Sequence, residues 1–227
     1  MLYVILGFVV LLAVFGPTLW VRFAMARHSE PLEDMPGTGG ELAKHLIERF
    51  ELGDIKVEEA PAGNDHFDPQ ARAVRLSPNN FNGKSITAVA VAAHEVGHAI
   101  QFARGEPVFK LRARYIPKAM KLKRAGVVLL SLVPFVAIVF KAPALFIGLI
   151  AIGIGFQLIG ALAYLIVLPE EWDASFNKAL PILVDDYVPA RFEGSIRQVL
   201  RAAALTYFAG ALADLLNLGR WIMILRR

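Results

Sequence analysis

The sequence predicts a mainly α-helical integral membrane protein with transmembrane helices and a small α+β unit on the cytoplasmic side. The chain is 56% hydrophobic with a mean hydropathy of +0.51, above the usual soluble range, and its apolar residues collect into long stretches. The more polar segments between those stretches carry helix and strand periodicities, which places the folded unit. The charge of +4 and pI near 9.4 do not point to nucleic acid, because no RNA- or DNA-binding motif accompanies the basic residues and they lie beside apolar runs. Lipid headgroups suit them better. With no cysteine, disulfides and thiolate metal sites are excluded, so any metal ion has only nitrogen and oxygen ligands.

Residues 1–21 carry no charge and end at Trp20 and Arg22, an interfacial aromatic and a basic stop, which reads as a transmembrane anchor. A cleaved signal peptide would want a basic n-region and a small-residue cleavage site, and neither is present. After a linker with Pro31, Pro36 and Gly37, Thr38 and Glu41 form a capping box. Apolar residues then recur at Leu42, Ala43, Leu46, Ile47 and Phe50, and Gly53 closes an amphipathic helix. Ile55–Glu59 and Ala73–Ser77 read as short strands joined by the loop Ala62–Arg72, so a small sheet is expected. Ser85 caps a helix running through Ala103 and ended by Gly105 with Pro107 beyond; its alanine- and valine-rich body indicates burial on most sides.

Lys110, Arg112, Arg114, Lys118, Lys121, Lys123 and Arg124 then crowd a stretch without acids, beside the second apolar run. Positive residues stay cytoplasmic, here with anionic lipid in reach. Ala125–Phe140, which contains Pro134, and the glycine-rich Ala142–Leu168 are separated only at Lys141 and Pro143, which suggests a tight hairpin crossing the bilayer twice. The fourth stretch, Ala202–Leu225, is interrupted by Asp214, Asn217 and Arg220, and either spans or lies against the other helices. The expected organisation is an anchor over 1–21, a cytoplasmic part over 22–124, a transmembrane hairpin over 125–168, a cytoplasmic segment over 169–201 and a C-terminal membrane helix over 202–227.

On the predicted buried helix, His94-Glu95-Val96-Gly97-His98 is H-E-x-x-H. Imidazoles four residues apart project from one helix face about a turn from each other, so both reach one ion. Zinc takes imidazole nitrogen at about 2.0–2.1 Å, and catalytic sites keep three protein ligands and a water whose pKa falls to about 7. Glu95 is rotated about 100° from His94, off the ligand line, where it can accept a proton from that water and pass it to a leaving amine. The plainer reading, ordinary core histidines beside a solvated glutamate, would bury these groups on an apolar helix without partners, at a cost. Gly97 costs about 1 kcal/mol against alanine, which implies close approach by another element or by substrate.

Residues 99–106 hold no histidine, so the metzincin continuation is absent and the third ligand is expected to be a carboxylate. The segment Pro169-Glu170-Glu171-Trp172-Asp173-Ala174-Ser175, with Pro169 read as opening a helix, offers Glu170, Glu171 and Asp173. Acids there also suit a helix N-terminus, the sole role expected of at least one of them.

These residues resemble the YugP-like neutral zinc metallopeptidases, bacterial membrane proteins related more distantly to HtpX-type proteases. The likeness is carried by Asn64 to Pro69, Val74 to Ser77, Ala92 to Gln101 around the H-E-x-x-H motif, Leu168 to Ser175, and Ala202 to Tyr207. The resemblance implies a gluzincin-like metallopeptidase unit holding one zinc ion. HtpX-type enzymes take their third ligand from the glutamate that opens E-x-x-A-D, so the resemblance selects Glu171 among the acids. Those relatives end that segment with aspartate where this chain has Ser175, and no supporting role carries over to that position.

Asp65, His66 and Asp68 are further candidates: His66 as a donor to the developing oxyanion, an acid as the partner of an imidazole. The plainer reading is an Asx-type turn stopped by Pro69. Tyr207 reads as an interfacial tyrosine, and His28 and His45 as surface residues. The expected catalytic residues are therefore Glu95 and His66, and the expected metal ligands His94, His98 and Glu171. Together they imply a zinc-dependent endopeptidase in the cell membrane, multi-pass, its site facing the cytoplasm, with the lipid bilayer and peptide or membrane-protein substrates as partners. The alternative is a non-catalytic membrane adaptor or chaperone that keeps zinc for stability. An exposed edge of the small sheet would suit an extended peptide added as a strand.

Overall fold

The computed structural model describes residues 2–140 and 143–212. The fold is mostly helical, and the chain divides into two compact units. One comprises Leu19–Lys110 with Leu168–Thr206; the other comprises Leu111–Val167 with the chain up to Thr18 and from Tyr207 on.

The first unit is built around α4 (Ile86–Ala103), which follows the short α3 (Pro78–Phe81). Ser85 caps α4 by accepting from the Ala88 amide. At the far end Gly105 takes a φ of 61°, which lets the amides of Gly105 and Glu106 reach the carbonyls of Phe102 and Gln101. Every residue from Ile86 to Gln101 is buried, as the small apolar body demands. Around it pack α2 (Gly39–Arg49) and α8 (Glu193–Ala204), which bring Leu42, Leu46, Ile47, Ile196, Val199 and Leu200 into one core. The expected capping box opens α2: Thr38 accepts from the Glu41 amide, and Glu41 accepts from the Thr38 amide. Its end comes earlier than Gly53, because Glu51 itself adopts φ 50° and the Leu52 amide bonds back to the Ile47 carbonyl.

The sheet has three strands. β1 (Lys56–Glu59) pairs in parallel with β3 (Ala73–Leu76), and β2 (His66–Asp68) pairs antiparallel with β3, Phe67 opposite Val74. β2 lies inside what the sequence presents as loop. Three residues flanked by glycine, asparagine and proline carry no alternation to read, and the strand exists because β3 pairs with it. The turn after β2 is an Asx turn. Asp68 accepts from the Gln70 and Ala71 amides and from Arg75, and the Ala71 amide above all holds its carboxyl below the usual range.

Pro169 does not open a helix. It sits inside α6 (Pro143–Trp172), which continues through a π-helical turn, Asp173–Ala179, into α7 (Leu180–Asp186). Proline in mid-helix gives up one backbone hydrogen bond without ending the helix here. Glu170, Glu171 and Asp173 therefore stand in mid-helix, and the helix-N-terminus role expected of one of them does not apply.

In the second unit α5 (Pro107–Phe140) and α6 approach closely through glycines. A Cβ on Gly126 would lie 2.8 Å from the Gly153 carbonyl oxygen, one on Gly153 2.7 Å from Leu130, and one on Gly160 2.8 Å from Lys123. Partners rise along α5 as they fall along α6, so the two run antiparallel. α5 and the helical run Ala144–Asp185 are long and apolar enough to cross a membrane. The basic stretch from Lys110 to Arg124 forms the first half of α5. α1 (Leu2–Arg27) covers the first apolar stretch and continues past Arg22. Lys141, at the expected hairpin tip, and Asp214, Asn217 and Arg220 of the fourth stretch lie outside the described residues.

Candidate metal centre

α4 presents His94 and His98 one turn apart, and the end of α6 lays Glu171 against them. Gly97 permits this approach: a Cβ there would stand 2.8 Å from the Ala174 carbonyl oxygen and 3.2 Å from its Cα. The helix glycine is thus accounted for by the π-helical turn, which crosses α4 at backbone distance. His94, His98 and Glu171 are 4%, 4% and 1% exposed, so water screens their charges little.

The two Nε2 atoms are 3.3 Å apart, and Glu171 Oε2 lies 3.2 Å from that of His94 and 3.3 Å from that of His98. Tetrahedral zinc with ligands at about 2.0–2.1 Å has ligand-to-ligand edges of about 3.3–3.4 Å, so these atoms form a triangle matching one face of the tetrahedron. The donor set, two imidazoles and a carboxylate, also suits zinc. On the far side of each ring, Nδ1 of His94 is 2.9 Å from Ser175 Oγ and Nδ1 of His98 is 2.9 Å from Gln101 Oε1. Both Nδ1 atoms are engaged there, and the Nε2 atoms face the carboxylate. Burial resists protonation of His98, but Glu171, Glu170 and Glu95 together outweigh it and push the pKa well above the usual histidine range. The pocket is thus built to hold positive charge.

Glu95 is buried on α4, and its charge is felt by His98. Glu170 is fully buried with Oε1 3.4 Å from His98 Nδ1, while Asp173 accepts from Gln101 and pairs with Lys178; neither joins the triangle. His66 lies on the edge strand β2, its Nδ1 2.9 Å from the Asn64 carbonyl oxygen. Asp65 is not an imidazole partner: it accepts from the Ser77 amide, the Ser77 hydroxyl and the Asn80 side chain, tying the loop to α3. Asp68 serves its turn and Arg75. Tyr207 bonds Arg112 in the second unit. His45 is exposed as expected, whereas His28 is half-buried against Gln198.

The groups behind the imidazoles are the ones sequence reasoning passed over. Gln101 stands three residues after His98 and Ser175 four after Glu171, spacings that share a helix face, so the signal was present. The family likeness sets Ser175 aside, because it stands where the HtpX-type relatives have aspartate.

Comparison with known proteins agrees with this geometry. The family model described as putative neutral zinc metallopeptidase matches residues 3–226, and the chain belongs to that family. It is 34% identical over 226 residues to the putative membrane protease YugP of Bacillus subtilis (strain 168), across 94% of this chain and 93% of that protein. No solved structure matches it.

Proposed function

We propose that the chain is a membrane-embedded zinc-dependent endopeptidase, hydrolysing peptide bonds near the cytoplasmic membrane surface. The observation that carries this reading is the buried triangle of His94 Nε2, His98 Nε2 and Glu171 Oε2, with edges of 3.2–3.3 Å. These three atoms would hold one zinc ion. When bound, zinc supplies a water acidic enough, with a pKa of about 7, to attack a carbonyl at neutral pH. Glu95, next to a ligand on the same buried helix, takes the proton from the attacking water and returns it to the departing nitrogen. Among the described residues the metal-capable group has only these three members, so a bound ion would keep room for a water. That favours a peptidase over a zinc-stabilised adaptor or chaperone, in which four protein ligands would close the ion off.

A peptide could be held as an added strand, because among the described residues β1 and β2 each pair only with β3 and form the two edges of the sheet. Substrates would then be extended segments or tails of membrane proteins, recognised largely through their main chain. The acid-free basic half of α5 favours a cytoplasmic site and contact with anionic lipid.

The test uses the purified full chain in detergent with an internally quenched peptide library, alongside metal analysis. Glu95→Gln is expected to keep its zinc and lose about 10²- to 10⁴-fold in hydrolysis. Glu171→Ala is expected to lose both zinc and hydrolysis. Wild-type turnover by Glu95→Gln rejects the mechanism, and stoichiometric zinc in Glu171→Ala rejects the ligand set.

A further inference from the structure

We propose that Gln101 and Ser175 are the positioning residues of this centre. Each holds one imidazole with its proton on Nδ1, and the two do so by different means. The proposal rests on the zinc reading above and assigns what that reading leaves open, which is how two buried rings come to offer Nε2 lone pairs to the same point.

At His98 the assignment follows from the fully buried Gln101 side chain. Its Nε2 is 3.0 Å from the Glu170 carbonyl oxygen and 2.8 Å from Asp173 Oδ2, two groups that only accept at neutral pH. The amide NH₂ must therefore face them, which turns Oε1 toward His98 Nδ1 at 2.9 Å. An amide oxygen only accepts, so Nδ1 carries the hydrogen, and in the neutral ring that would bind zinc Nε2 is the lone pair. Asp173 is in turn paired with Lys178, which reaches Glu106 at 3.0 Å. A line of polarised bonds thus runs from Lys178 through Asp173 and Gln101 to His98.

At His94 the device is neutral throughout. The Ser175 hydroxyl lies 3.1 Å from the Leu200 carbonyl oxygen and 2.9 Å from His94 Nδ1. Were its one hydrogen given to His94, two oxygen lone pairs would face each other at 3.1 Å in a buried site. Donated to Leu200, it leaves the oxygen free to accept from Nδ1–H, and again Nε2 is the lone pair. Nδ1 of His94 meets a hydroxyl, whereas Glu170 Oε1 stands 3.4 Å from Nδ1 of His98 beside the Gln101 amide, so less negative charge is fed to His94. Ser175 is delivered by the π-helical turn that also crosses Gly97. One irregular turn therefore sets both the approach of Glu171 and the tautomer of His94.

The test reads zinc affinity, by competition with a chromophoric chelator, and the ¹⁵N shifts of the histidine ring nitrogens in the zinc-loaded full chain. In the wild type, His94 and His98 should show Nδ1 protonated and Nε2 on the metal. Ser175→Ala and Gln101→Met should each weaken zinc binding by about 10- to 100-fold and blur the tautomer of the one histidine concerned. Ser175→Thr keeps the hydroxyl and Asp173→Asn keeps an acceptor for the Gln101 amide, so both should hold the wild-type tautomers. The loss in Asp173→Asn should be smaller than in Gln101→Met, with the His94 signals unmoved. Zinc on Nδ1 of either ring, or wild-type affinity in either Ser175→Ala or Gln101→Met, would overturn this proposal alone. A wild type that binds no zinc would overturn the zinc reading and this proposal with it. The variants touch different rings, so misfolding of one leaves the other decisive.

Discussion

His66 shows how much a single ring nitrogen decides. Its Nδ1 is 2.9 Å from the Asn64 carbonyl oxygen, which only accepts, so the neutral ring spends its one proton there. Nε2 can donate to a developing oxyanion only from the doubly protonated ring, and such a ring on an edge strand would be a strong donor. If His66 plays that part, His66→Ala should lower kcat by about 10²-fold while leaving KM and zinc content near wild type. A kcat within twofold would remove His66 from the chemistry and leave it a β2 residue hydrogen-bonded to its own loop. The proposed ligands differ from His66 in this respect: both imidazoles of H-E-x-x-H have their Nδ1 occupied by buried side chains, and their Nε2 atoms are aimed at one point.

Among elements, the contact between α4 and the π-helical turn is the tightest constraint on the centre. A Cβ on Gly97 would meet backbone atoms of Ala174 at 2.8–3.3 Å, and backbone cannot swing aside as a flexible side chain can. Gly97→Ala gains about 1 kcal/mol in helix propensity and loses about 1–3 kcal/mol to overpacking, so the turn is expected to move away, carrying Glu171 and Ser175 with it. Zinc affinity in Gly97→Ala should fall at least tenfold, measured by chelator competition, with helix content by circular dichroism unchanged; undiminished affinity would show that the turn has room to spare. The elements that set this contact were unequally legible in the sequence. α2 and α4 announce themselves through capping residues and periodicity, which are local. β2 is held by pairing with β3, and the π-helical turn by packing against Gly97, so neither leaves a periodic mark. Glu171 emerged from family likeness, since the residues by themselves left Glu170, Glu171 and Asp173 level. Geometry separates them: the Asp173 carboxylate is committed to Gln101 and Lys178, Glu170 stands on the Nδ1 side of His98, and Glu171 faces both Nε2 atoms.

For the whole molecule the metal triangle constrains topology. His98 and Glu171 belong to one compact unit, yet the chain between them leaves at Lys110 and returns at Leu168 through two antiparallel apolar helices. If those helices cross a bilayer, they must cross it an even number of times, or the carboxylate would arrive on the wrong side. The apolar half of α5, Ala125 to Phe140, spans about 24 Å at 1.5 Å per residue. That is short of the roughly 30 Å hydrocarbon core, so Lys121, Lys123 and Arg124 would have to extend their stems to reach the headgroups. Seven basic residues and no acid before that half would keep its side in the cytoplasm if the hairpin spans. The chain has no cysteine, which makes the test direct. In intact spheroplasts a membrane-impermeant maleimide should label Lys141→Cys, whereas Lys118→Cys should react only after permeabilisation. Labelling of both without permeabilisation would deny the double crossing. The opposite pattern would keep the hairpin and turn the metal centre outward, where soluble extracellular peptides and not cytoplasmic tails would be its substrates.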